Sequence, residues 1–169
     1  MFTKMIKTSC LLAGVFAMSF ANATTDEQMD LTEVTQASTV IVTGEVLSSV
    51  TVMQGNSPFT KFTLSIEEQI KGNSPQTITV VIPGGTMKKG RFLVGETVPG
   101  VTPILSAQKS LYFLSPLDAK DEYQIVGFNQ GQASISTVNG EEIITGTLTG
   151  GHQYSLTEMK AKINAADGK

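Results

Sequence analysis

The feature that most constrains the fold is an alternation of apolar and polar residues with a period of two. In "FTKFTLSIEEQIKG", the apolar side chains of Phe62, Leu64 and Ile66 alternate with polar ones. The segment "QTITVVI" at 76–82 continues the pattern. Because side chains of this period share one face of an extended chain, these segments are predicted to be half-buried β-strands.

Turn signals separate the strand segments. "GNSP" occurs at 55–58 and again at 72–75, and Asn139-Gly140 has the form of a two-residue hairpin turn. Gly44 lies inside the strand segment "TVIVTGEVL", where a glycine indicates a bulge or tight bend. Further strands are indicated by "KSLYFLS" and "EYQIVGF". The chain therefore contains many short strands joined by short turns.

A helix is predicted at each end of this strand-rich region. "MDLTEVTQAS" indicates a short helix near 31–38, with Asp30 capping its first turn. Ser155 and Glu158 have the spacing of a capping box before a C-terminal helix at about 155–166. The expected fold is mainly β: a small antiparallel, OB-like barrel, or an open β-sandwich, with a short N-terminal helix and a C-terminal helix.

Several motifs, taken in order, resemble a known group of proteins. "IVTGEV", "ITVVIPGG", "LVGE", "LYFL" and "YQIVGFNQG" resemble an uncharacterised family of secreted or periplasmic bacterial proteins with a small OB-like β-barrel. The resemblance covers most of residues 40–131. It implies a barrel fold and an exported location, and it implies no activity.

The first 23 residues have the pattern of a signal peptide. Lys4 and Lys7 precede an apolar run at 10–20, and Ala-Asn-Ala at 21–23 has the form of a cleavage site. We therefore expect an exported protein, periplasmic or extracellular, in which residues 24–169 form a single β-rich domain. No second apolar run is long enough to span a membrane.

Removal of the signal peptide changes the composition. The formal charge falls from −3 to −5, because the removed segment carries two lysines and no acidic residue. The only cysteine, Cys10, is also removed, which excludes a disulfide and a thiolate metal site in the exported chain. With a single histidine, His152, the sequence predicts no metal site and no cofactor.

Catalytic arrangements are poorly supported. His152 follows two glycines, which indicates a surface turn, although a hydrolase using His152 with a serine and an acidic residue is an alternative. The neighbouring carboxylates of Glu67-Glu68 and Glu141-Glu142 should point to opposite strand faces, so neither pair can act on one substrate. Glu68 is expected at the rim of the barrel.

The one tight basic cluster lies in a glycine-rich and proline-rich connection at 83–107. It consists of Lys88, Lys89 and Arg91 in "GGTMKKGRFLVGE". A phosphate-binding loop requires a glycine-rich turn that leads into a helix, and "RFLVGE" has no helical pattern. We expect an exposed, mobile connection whose cations contact an anionic ligand or another protein.

Nucleic-acid binding is not expected, because the chain is acidic and lacks tryptophan. Four aromatic residues have strand spacing, and at least half of them should be buried: Tyr112, Phe113, Tyr123 and Phe128. The sequence is therefore most consistent with an exported, non-enzymatic binding or protein-interaction module. By analogy with other secreted OB-like domains, a protease-associated role is one variant.

Export is testable directly. Expressed in a Gram-negative host, the protein should be recovered outside the inner membrane with Thr24 as its first residue, because cleavage is expected after Ala23. N-terminal sequencing checks this. A soluble cytosolic product beginning at Met1 would contradict it.

Overall fold

The computed structural model describes residues 28–98, 104 and 107–168. The proposed signal peptide and its cleavage site lie outside the described residues. Within them are ten strands, two α-helices and one short 3-10 helix. In chain order the elements are α1 Leu31–Ala37, β1 Val40–Gln54, β2 Ser57–Lys71, β3 Thr77–Pro83, β4 Gly85–Lys89, β5 Phe92–Glu96, β6 Ser110–Pro116, β7 Glu122–Ile125, β8 Gln132–Val138, β9 Glu141–Thr145, the 3-10 turn Thr147–Thr149, β10 Tyr154–Ser155 and α2 Leu156–Ala166.

Five strands pair in a closed ring. The order around it is β1, β2, β3, β7, β6 and back to β1. All these pairs are antiparallel except β3 with β7, which is parallel. The predicted fold class is confirmed: the protein is mainly β, its strands close as a small OB-like barrel requires, and a helix lies at each end.

Three further strands extend the sheet on one side of the ring, whereas β4 and β5 form a separate two-stranded sheet. β8 pairs with β6, β9 pairs with β8, and the two-residue strand β10 pairs with β9. The β8–β9 turn is Asn139-Gly140, and both residues have positive φ, as the hairpin signal in the sequence requires.

Alternation of the strand side chains produces two apolar cores. The first fills the interior of the ring and contains Phe62, Leu64 and Ile66, as predicted. Its other members come from the remaining four ring strands and from residue 104: Val40, Val42, Val46, Ile78, Val80, Ile82, Ile104, Tyr112, Leu114, Tyr123 and Ile125.

The second core lies between the ring and its helical cover. Ile41 on β1 and Leu111 and Phe113 on β6 point away from the first core and pack here. The covering residues come from both helices, from β8 and β9, and from the β7–β8 turn: Val34, Val126, Ala133, Ile135, Ile144, Leu156, Met159 and Ile163. β1 and β6 are therefore buried on both faces along the stretch where they pair.

Gly44 allows the ring to bend, as the sequence predicted. The β1–β2 register shifts between Thr43 and Gly44. A Cβ atom at position 44 would lie 2.3 Å from the Ser65 carbonyl oxygen, a distance at which backbone must move. Only glycine permits this close approach of two backbones.

Both helix caps are those expected from the sequence. Asp30 accepts a hydrogen bond from the Glu33 amide at 2.8 Å, and the Glu33 carboxylate accepts one from the Asp30 amide. Ser155 and Glu158 form the same reciprocal pair at the start of α2. Among the described residues, neither helix is long and apolar enough to cross a membrane.

The connection at 83–107 differs from the prediction. Residues 85–96 form a β-hairpin, β4–β5, with a two-residue turn at Gly90-Arg91. The β-forming run Phe92-Leu93-Val94 and the positive φ of Gly90 explain the hairpin, and the many glycines and lysines concealed its period in the sequence. The predicted exposure is confirmed for Lys88 and Arg91.

The first core provides a direct test of the strand assignment. Leu64 is completely buried, so Leu64→Ala should lower the free energy of unfolding by about 2–5 kcal/mol. Thr63→Ala is the matched control on the other face and should cost less than about 1 kcal/mol. Urea denaturation measures both. Equal effects of the two substitutions would show that the assignment of faces is wrong.

Candidate functional site

A cleft of about 690 Å³ lies on the outside of the ring. It lies where strands β2, β3 and β7 meet three connecting segments: the β1–β2 hairpin, the β6–β7 turn and the β7–β8 turn. Its lining residues are Ala37, Gln54, Phe59, Val81, Ile82, Pro83, Ser115, Leu117, Asp118, Ala119, Glu122, Gln124, Ile125, Val126, Gly127 and Phe128.

Strand register explains the apolar floor of the cleft. Phe59 on β2 lies opposite Val52 on β1 and Pro83 on β3. Val81 is two residues from Pro83 and therefore shares its face. Since directly opposite residues in an antiparallel pair point to the same side, these residues form one patch on the outside of the ring. On this outer face Phe59 and Pro83 are half-buried, whereas Val81 is buried.

The β6–β7 turn forms one rim and is held by backbone hydrogen bonds. The Leu117 amide donates to the Glu122 carbonyl at 2.9 Å, and the Glu122 amide donates to the Ala119 carbonyl at 3.2 Å. The Thr79 amide of β3 donates to the Asp121 carbonyl at 2.9 Å. These bonds fix Asp118 and Ala119 at the edge of the cleft.

Phe128 forms the opposite rim in an uncommon conformation. Its φ is 56°, in the left-handed region, and its side chain is 53% exposed. A bulky residue pays about 1–2 kcal/mol for this backbone conformation. The neighbouring turn is anchored, because the Gln130 side chain accepts a hydrogen bond from the Met29 amide at 2.7 Å. The fold thus holds an aromatic ring outward at the cleft.

The charges at the cleft are acidic. Glu122 forms an ion pair with Lys61 at 2.5 Å, so its charge is balanced. Asp118 is exposed and has no ion pair with any residue in the described ranges. One uncompensated carboxylate therefore lies beside an apolar surface.

The three cations predicted from sequence lie elsewhere, around the tip of the β4–β5 hairpin. In the hairpin register Lys88 is opposite Leu93, and Lys89 is opposite Phe92. Arg91 is in the turn. No helix follows this turn, so the structure does not provide the arrangement of backbone amides at a helix N-terminus that binds phosphate.

His152 is exposed, in the turn before β10 that the sequence indicated. Its ring lies 6.2 Å from the Tyr154 ring, centroid to centroid. Within the described ranges, no serine hydroxyl or carboxylate forms a hydrogen bond with the imidazole. His152 also lies outside the cleft.

The paired carboxylates diverge, as strand alternation requires. Glu67 contacts Lys109 at 2.7 Å, whereas the exposed Glu68 contacts Lys160 of α2 at 2.5 Å. Lys109 also contacts Glu142 at 2.6 Å and so joins β2 to β9. In the part of the chain that the structure describes, no cluster of three or more His, Cys, Asp or Glu side chains is placed to hold a metal ion.

The aromatic prediction is confirmed in part and corrected in part. Tyr112, Phe113 and Tyr123 are buried, which satisfies the expectation that at least half of the four would be. Phe128 is not a strand residue, because it lies in the β7–β8 turn. The sequence "VGFNQG" has a glycine before the aromatic residue and a turn sequence after it. This pattern could have indicated that Phe128 lies in a turn.

Comparisons of the chain with protein-family models, with curated proteins and with solved structures find no match. The site is therefore interpreted from its own geometry.

The Lys109 ion pairs predict a pH dependence of stability. The hydrogen bonds to Glu142 and then to Glu67 raise the pKa of Lys109 above its ordinary 10.5. A lysine whose pKa is higher in the folded state than in the unfolded state stabilises the fold. This stabilisation is complete at pH values below the pKa of the unfolded state, and it is lost as the pH rises through the pKa of the folded state. The stability difference between the wild type and Lys109→Met should be constant near neutral pH and shrink above about pH 10.4.

Urea unfolding at a series of pH values measures this difference. Lys120→Met is the matched control, since Lys120 is exposed and forms no ion pair within the described ranges. Its difference from the wild type should stay flat. Identical pH profiles for the two variants would contradict the role assigned to Lys109.

Proposed function

We propose that this protein is an exported, non-enzymatic binding module that holds an extended segment of another protein in the cleft beside Phe59 and Phe128. The observation that carries the proposal is the cleft itself. Its volume, about 690 Å³, lies within the range of about 300–1,000 Å³ typical of ligand sites. Its lining combines an apolar floor with a few polar groups at the edges, the composition that such sites share.

The chemistry of the lining supports a peptide segment as ligand. Phe59, Val81 and Phe128 offer an apolar surface for one or two apolar side chains. The side chains of Gln54 and Gln124 can donate to and accept from peptide groups of an extended backbone. The unpaired carboxylate of Asp118 favours a basic residue beside the apolar one.

The conformation of Phe128 supports a binding role for this surface. A left-handed aromatic residue costs stability, and its exposed ring recovers little of that cost by burial. Strained residues are concentrated at functional sites, where the strained arrangement serves the function. Covering of the ring by a ligand would account for an aromatic residue at this position.

The alternative, a hydrolase using His152, has no observation of the described residues in its favour. His152 is exposed and is not among the residues lining the cleft, and no serine or carboxylate in the described ranges forms a hydrogen bond with it. The binding proposal requires only surfaces that the fold presents. Export remains part of the proposal on the strength of the pattern at residues 1–23.

Phe128→Asn separates binding from stability. Asparagine tolerates the left-handed conformation better than phenylalanine, so the free energy of unfolding should be unchanged or higher. Binding should weaken about tenfold or more, as expected when an aromatic contact residue is removed. The measurement uses two decapeptides with identical apolar residues, one with lysines and one with glutamates, titrated while amide chemical shifts of the protein are recorded.

The lysine peptide should shift amides of the cleft, and the glutamate peptide should bind more weakly. Val138→Ser is the control, because Val138 is an exposed apolar residue in the β8–β9 hairpin away from the cleft. It should leave binding unchanged. Shifts confined to residues outside the cleft, or a destabilised Phe128→Asn that binds normally, would refute the proposed site.

A further inference from the structure

The β4–β5 hairpin presents a second surface, distinct from the cleft, at its tip, residues 88–93. Phe92 is 76% exposed and Leu93 is 74% exposed. Successive side chains of a strand point to opposite faces. Because both are exposed, the tip is clear of the rest of the described protein on both faces of the ribbon.

The base of the hairpin, in contrast, is fixed to the ring. The Thr60 hydroxyl donates a hydrogen bond to the Gly84 carbonyl at 2.9 Å. A Cβ atom at position 85 would lie 2.2 Å from the Thr60 hydroxyl oxygen and 2.9 Å from the Thr51 side chain. The glycine therefore permits close packing of β4 on the β1–β2 hairpin. The hairpin is therefore fixed to the ring at its base, and its tip projects from the ring.

The charge of the tip is opposite to that of the chain. Lys88, Lys89 and Arg91 lie within it, and the acidic residue of the hairpin, Glu96, lies at its base. The whole chain has a formal charge of −3. The cross-strand pair Lys88–Leu93 places a lysine directly beside an exposed apolar residue, and Arg91 precedes Phe92 in the chain.

We propose that the hairpin tip docks on an anionic lipid surface, with Phe92 and Leu93 entering the interface and the cations Lys88 and Arg91 contacting headgroups. Large apolar side chains adjacent to basic ones are the composition of protein segments that lie in the bilayer interface. The tip projects with Phe92 and Leu93 exposed on both faces of the ribbon, an arrangement that can enter a deformable surface. The proposal goes beyond the proposed function and does not depend on it.

Two physical contributions act together at such a surface. Transfer of the exposed apolar area from water favours insertion and does not depend on salt. Attraction of the cations to anionic headgroups contributes about fivefold to the partition coefficient for each Lys or Arg, and it weakens as salt screens the charges. Binding should therefore require anionic lipid and decrease at high salt.

The experiment measures partition of the chain 24–169 into sedimented vesicles. This chain is used because the apolar residues 10–20 would themselves bind lipid, and because it contains every residue of the described fold. Vesicles of phosphatidylcholine are compared with an equimolar mixture of phosphatidylcholine and phosphatidylglycerol. Binding is expected only to the mixture, at lipid concentrations on the order of millimolar.

Two pairs of substitutions test the two contributions. Lys88→Ala with Arg91→Ala should reduce the partition coefficient about 25-fold, at about fivefold for each cation. Phe92→Ser with Leu93→Ser should reduce it at least about tenfold without changing the salt dependence of the residual binding. Because the side chains of Lys88, Arg91, Phe92 and Leu93 are exposed, urea unfolding should be unchanged.

Matched controls lie elsewhere on the surface. Lys120→Ala removes an exposed cation, and Val138→Ser removes an exposed apolar side chain at another hairpin. Both should bind as the wild type does. The proposal is overturned by equal binding to both vesicles, by no binding to either, or by tip variants that partition normally. It is also overturned if the tip substitutions instead abolish a lipid-independent self-association seen by analytical ultracentrifugation.

Discussion

The structure depends on the pairing of β1 with β6, because this pair is buried on both faces. Val40 and Val42 of β1, with Tyr112 and Leu114 of β6, face the interior of the ring. Ile41, Leu111 and Phe113 face the second core. The same antiparallel pair closes the five-stranded ring and supports the layer formed by the helices, β8 and β9. Loss of this pairing would expose both cores at once.

The candidate surfaces are found where this double burial ends. Beyond Gly44, β1 pairs only with β2, and the outer face of that hairpin contributes to the floor of the cleft. The β4–β5 hairpin leaves the ring after β3 and pairs only with itself. Segments with few buried contacts can change conformation or contact partners without disturbing a core. The β1–β6 pair, buried on both faces, thus provides the stability of the fold. The proposed binding surfaces lie on segments outside this pair.

Sequence alone predicted what short-range physical chemistry determines. The alternation around Leu64, the bulge at Gly44, the Asp30 cap, the Ser155–Glu158 capping box and the Asn139-Gly140 turn follow from strand period, backbone sterics and local hydrogen bonds, and all are confirmed. The β4–β5 hairpin was missed because its glycines and lysines obscured the alternation. The cleft was missed because Phe59, Asp118 and Phe128 are far apart in sequence and are assembled only by strand pairing. Exposure of Phe92 and Leu93 depends on where the hairpin projects, which local patterns do not specify.

Native-state hydrogen exchange tests the central dependence on the β1–β6 pair most directly. The amides that join the two strands at residues 40–44 and 110–114 should exchange only through global unfolding, with a free energy equal to that from urea denaturation. Amides of β4 and β5 should exchange through local opening at a lower free energy. Local exchange of the β1–β6 amides at the same free energy as those of the β4–β5 hairpin would contradict the account.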